Sequence, residues 1–229
     1  MVGASASPRS QTHEMDGKLV NDDPEQQTAA VIDICRAAHR RLVAAISGLS
    51  DEAVTQPSIL RGWTVGHVLT HLARNADGHF RRLEGALRGE EVARYAGGRS
   101  QRDQEIEAGA LRSGRDLVAD VSTSAERLED VWSRSVIAGW PNRHLLADDH
   151  WPTDASPLRR LREVEVHHVD LGLGYTPESW PEEYVRWELP LVLKRLPQRI
   201  PDPSSRRRLL AWLIGRADQP GHIELDPWM

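Results

Sequence analysis

Four segments of the chain repeat their apolar residues at helical spacing, and each is opened or closed by residues that start or stop helices. The first follows Asp23-Pro24, with Val31, Ile34, Ala38, Leu42 and Ile46 on one stripe, and ends at Gly48. The second is capped by Thr64, carries His67, Val68, His71, Leu72, Asn75 and His79, and stops at Gly89. The third is predicted from near Ser100, whose hydroxyl can pair with Asp103, through Ile106, Leu111, Leu117, Val121 and Leu128 to about Arg134. Ser156-Pro157 opens the fourth, which ends near Gly172 or Gly174. Amphipathic helices of this kind bury their stripes by packing on one another, so an all-α bundle is expected.

Two of these helices carry residues that suit a metal. His67 and His71 are four apart in the second, and Glu163 and His167 are four apart in the fourth. Residues at that spacing share a helix face, so two such helices side by side can aim imidazoles and a carboxylate at one point. Either pair alone is more simply read as a helix-stabilising or hydrogen-bonded pair. Their joint occurrence shifts the balance toward a metal, with Asp170 placed to accept a hydrogen bond from a ligand imidazole. Two histidines and one carboxylate leave coordination positions open, as in catalytic zinc sites, and iron or nickel can use the same donors.

Composition narrows the partners. The net charge of −5 offers no basic surface for nucleic acid, no run of some 18 apolar residues is present, and the N-terminus lacks a secretory pattern. A cytoplasmic protein acting on a small molecule is expected, with no membrane partner. Cys35 is the only cysteine, which precludes an internal disulfide and a cysteine-rich metal site, and its place beside the first apolar stripe reads as core. Residues 1–22 read as a flexible tail, 23–175 as the metal-binding bundle and 176–229 as a helical appendage. In the appendage Trp180-Pro181 opens a helix interrupted at Pro190, and Asp202-Pro203 opens another. No glycine-rich phosphate loop is found, which argues against a nucleotide cofactor.

The segments Arg61-Gly62-Trp63-Thr64-Val65-Gly66-His67-Val68-Leu69-Thr70-His71-Leu72-Ala73-Arg74-Asn75-Ala76-Asp77 and Arg162-Glu163-Val164-Glu165-Val166-His167-His168-Val169-Asp170-Leu171-Gly172 resemble the two signatures of the mycothiol-dependent maleylpyruvate isomerase family, a branch of the DinB-like metalloenzymes. The resemblance spans roughly Ala29 to Gly174. It implies a DinB-like four-helix bundle with a divalent metal, zinc foremost, on His71, Glu163 and His167, and it makes His67 a neighbour of the site. It implies that Arg102 and Arg216 act in catalysis and, with Asn75, in holding the acidic substrate or the thiol. The chain departs from the family in its last third, which is short and reads as helix where relatives often carry strands.

The same resemblance implies mycothiol as cofactor or cosubstrate, its thiol activated by the metal for attack on an electrophilic small molecule. In an isomerase the thiolate adds to a cis double bond conjugated to carbonyls, the single bond so formed rotates, and elimination returns the trans isomer. In a transferase the sulfur stays on the product. Two other readings stand beside these: a hydrolase using metal-bound water with Glu165 or Asp170 as base, and a non-catalytic interaction bundle. A monomer or homodimer is expected, with Trp180, Trp187 or Trp228 available to an interface.

Overall fold

A computed structural model of the protein describes residues 24–141 and 152–226. The described residues form helices α1 (Pro24–Ile46), α2 (Asp51–Thr55), α3 (Val65–Leu87), α4 (Gly98–Gly109), α5 (Gly114–Ile137), α6 (Ser156–Asp170), α7 (Glu182–Arg199) and α8 (Pro203–Leu213). Strand pairing among them is limited to one isolated bridge, Pro57 to Thr64. The expected all-α, DinB-like fold is the one observed. The tail at residues 1–22 and Trp228 lie outside the described residues.

Helices α1, α3, α5 and α6 make the bundle. Ile32, Cys35, Ala38, Leu42 and Ile46 of α1 meet Val68, Leu69, Leu72 and Ala76 of α3, Leu117, Val121, Leu128 and Trp132 of α5, and Leu161 and Val164 of α6 in one core. The most enclosed of them, α3, is buried through most of its length and packs on α4, α5 and α6. Cys35 is fully buried, and burial pushes its thiol far above the usual range, which suits the core role expected of it.

Several helix boundaries differ from the sequence reading. The single helix expected over residues 100–134 is two. Ser113 ends the first by starting the second: its side chain accepts from the Asp116 amide as the N-cap of α5. Leu111, which continues the apolar spacing, sits in the break and is 88% exposed. Ser100 is not a cap, because α4 starts at Gly98 and Asp103 accepts instead from Arg102. The short α2, capped by Ser50, was not expected at all.

The appendage is helical, as expected, but its first helix is not interrupted: α7 runs through both Pro190 and Pro197. The carbonyls these prolines strand, four residues earlier, belong to exposed Arg186 and Leu193, where water can satisfy them. Trp180 and Trp187 are partly buried against the core, and the Trp180 indole donates to the Glu165 carbonyl, so both anchor the appendage.

Candidate metal centre

The site is built where α3, α4 and α6 meet. Thr64 fixes the start of α3: its hydroxyl accepts from the His67 amide, and the Thr64 amide donates back to Nδ1 of His67. His67 therefore fills the place of the acidic residue in a capping box. Its Nε2 faces Glu107 at 3.3 Å and its ring stacks on Trp63, which leaves it beside the site and not in it.

One turn later His71 is buried, with Nε2 2.9 Å from Oε2 of Glu163 and 3.0 Å from Nε2 of His167. The third edge of this triangle, His167 Nε2 to Glu163 Oε2, is 3.6 Å. Ligands about 2.0–2.1 Å from a tetrahedral ion stand roughly 3.3 Å apart, so the three edges bracket that separation. Asp170 takes the place expected for it, 2.8 Å from Nδ1 of His167. That bond fixes the ring so that Nε2 faces the other two donors. Trp63 covers His71 from the side, ring centroids 5.6 Å apart. Glu163 remains 29% exposed, which leaves the group open to a small molecule.

Electrostatics within the group are lopsided. Burial pulls the pKa of His71 down to about 4 against its hydrogen bond to Glu163. Burial works against the charge of Glu163 and of His167 as well, but there hydrogen bonds and neighbouring charge prevail. The imidazole of His167, 3.6 Å away, and the bond from His71 hold Glu163 well below the carboxylate range, and the bond to Asp170 with the nearby Glu163 carboxylate raises His167 to about 9.

Arg102 arrives from α4, where its Nη2 lies 3.0 Å from Nδ1 of His71. That helix can lie so close because Gly109 carries no side chain: a Cβ there would stand 2.4 Å from Thr70, the residue before His71. A guanidinium only donates, so Nδ1 of His71 accepts and its ring hydrogen rests on Nε2. Any ion taking Nε2 needs that hydrogen gone, which moves it to Nδ1 and releases Arg102.

His71, Glu163, His167 and Arg102 are thus brought together, and two other expected residues are not. Asn75 is 1% exposed and its Oδ1 accepts from Arg160 at 2.9 Å, so it faces the core and not a cofactor. Arg216 is exposed after α8 and donates to the carbonyls of Ile214 and Gly215 in its own turn. Glu165 is buried on another face of α6, where it accepts from Arg41 and from the Tyr175 hydroxyl. It cannot act as a base at the group, and Asp170 is committed to His167. Sequence reasoning passed over Arg160, although an arginine one turn before Val164 in a core stripe is a readable anomaly.

The mycothiol maleylpyruvate isomerase N-terminal domain family matches residues 35–172 of the chain. The chain belongs to this family. All three members of the His-Glu-His group and Arg102 lie in the family span, while α7, α8 and Arg216 lie beyond it. Two solved structures are similar, a mycothiol-dependent maleylpyruvate isomerase and a histidine-to-alanine mutant of one. Each is 27% identical and covers 72% of this chain and 68% of its own, with TM-scores of 0.64 and 0.63. A comparison with curated proteins finds no match.

Proposed function

We propose that this family member is a metal-dependent enzyme that uses a low-molecular-weight thiol, mycothiol, to isomerise an unsaturated acid of the maleylpyruvate class. The observation that carries the proposal is the convergence of His71, Glu163 and His167, whose donor atoms all lie within 4.8 Å of one another inside the family span. Two imidazoles and a carboxylate suit zinc and also iron or nickel. A divalent cation held by these three residues would supply one thing, a thiol pKa lowered from about 8.5 so that thiolate exists at neutral pH.

The chain's own residues do the rest. Asp170 keeps His167 oriented, and Trp63 shields one side of His71 from water. Arg102, 26% exposed at the rim and held there by Asp103 and His71, has a planar fork suited to bidentate binding of a carboxylate that displaces these partners. The thiol must come from outside, because Cys35 is enclosed and inert. Retention of the sulfur on the product, an S-transfer, uses the same parts. The hydrolase reading loses both of its proposed bases, and a filled ligand set disfavours a purely structural bundle.

Elemental analysis of the purified protein, followed by calorimetric titration with mycothiol, tests this reading. Near-stoichiometric divalent metal and metal-dependent thiol binding are expected, and His71→Ala should lose both along with turnover. A metal-free His71→Ala protein with full thiol-dependent activity would sink the proposal.

A further inference from the structure

Arg160 is fully buried, and its guanidinium reaches from α6 to two other helices of the bundle. Nη1 donates to the Leu72 carbonyl at 2.8 Å and to Oδ1 of Asn75 at 2.9 Å, both on α3. Nε donates to Nε2 of His39 on α1 at 3.1 Å. Since that ring nitrogen must accept, His39 carries its hydrogen on Nδ1 and donates it to Glu129 of α5, 2.7 Å away. The hydrogen bonds of Arg160 thus reach a carboxylate on a fourth helix through a neutral imidazole, while Glu163 and Asp77 act on its charge through space. Nη2 is buried with no hydrogen-bond partner.

Such an arrangement is a weak device for stability alone. Keeping a cation out of water with one guanidinium nitrogen unpaired is costly, and replacing the whole buried polar set by apolar residues is often neutral or stabilising, although removing Arg160 alone strands the Asn75 and His39 acceptors. What the guanidinium adds is direction. Arg160 stands one turn before Glu163 on α6, while Leu72 and Asn75 stand one residue and one turn after His71 on α3. The two hydrogen bonds of Nη1 thus lock the axial register of the two helices beside the pair that must converge. Donor atoms 2.9 Å apart tolerate little slip, because a metal site needs its ligands placed to within about 0.5 Å.

We propose that Arg160 is a positioning residue for the His71–Glu163–His167 group, a clamp that sets the register between α3 and α6 and uses Asn75 as its acceptor. The proposal rests on the metal reading, and its test separates the two. The full-length protein is stripped with a chelator and titrated with Co²⁺, following the visible d–d bands. Thermal melts report whether each variant is folded.

Arg160→Met is expected to stay folded but melt below the wild type, since buried Asn75 and His39 lose their donor, to bind Co²⁺ 10- to 100-fold more weakly, and to show shifted bands, as loss of a residue supporting the ligands does. Arg160→Lys, which keeps a donor toward α3, should recover part of the affinity. Wild-type affinity and bands in Arg160→Met would overturn the clamp. Should Arg160→Met not fold, Asn75→Ala, which removes one acceptor, is titrated in the same way. Weaker Co²⁺ binding with shifted bands then supports the clamp, and wild-type binding overturns it.

If the wild type itself takes up no Co²⁺, the metal reading fails, and a crystal structure of metal-free Arg160→Met then decides the clamp. A His71–Glu163 separation wider than wild type by more than about 0.5 Å supports it, and an unchanged pair overturns it.

Discussion

Arg102 and His71 share one hydrogen bond that an ion on Nε2 would forbid, so the two partners respond oppositely to substitution. Arg102→Ala removes a positive charge beside the group and a competitor for Nδ1. Its metal affinity is therefore expected to equal or exceed the wild type's, measured by competition with a chromophoric chelator. Its KM for an acidic substrate is expected to rise on the order of 10- to 100-fold, the worth of a charged hydrogen bond. A parallel loss of metal and turnover would show that Arg102 serves the fold of the site and not the substrate. His67 marks the contrast at this scale. It has the spacing of a ligand, yet its two ring nitrogens are taken by Thr64 and Glu107.

Among the elements, α4 brings Arg102 to the site, and its end was not legible. Its contact with α3 depends on Gly109 lying against Thr70, and Gly66 of α3 would likewise place a Cβ 2.6 Å from the Ala110 carbonyl. Gly109→Val is expected to push α4 outward, withdrawing Arg102 while leaving His71, Glu163 and His167 in place. Metal content should stay near stoichiometric as KM rises, and a KM equal to wild type would refute this account of α4. The sequence displayed α1, α3 and α6 plainly, because Pro24, Thr64 and Ser156-Pro157 are local signals and the His and Glu ligands fall at a local spacing. It also carried the signal of the α4–α5 break, Ser113 followed three residues later by Asp116. That signal was masked because Leu111 and Leu117 keep helical spacing across it. The Arg102–His71 and Arg160–Asn75 bonds join residues 31 and 85 positions apart, and no local pattern encodes such pairs.

At the scale of the whole molecule, the bundle encloses histidines that it keeps neutral. Burial lowers His39 to about 4 despite its bond to Glu129, and lowers His168 to about 4 and His79 well below its usual value. The unfolded chain binds protons on these rings from about pH 6.5 downward, whereas the folded chain resists until about 4, so stability is full above 6.5 and falls as pH drops through that window. For His39 alone the loss is on the order of 3 kcal/mol. Melting temperature should therefore decline steeply between pH 6.5 and 4, and His39→Gln should flatten part of the slope. An unchanged slope in that variant would mean that His39 does not contribute.

The same global view gives the placement of the ligands another meaning. His71 and Glu163 stand 92 positions apart. An ion gripping both would act as a removable cross-link closing a long loop, binding the native chain but not the dispersed ligands of the unfolded one. Its departure would then be felt first as faster unfolding, so the protein's lifetime, and not only its chemistry, would follow the metal supply.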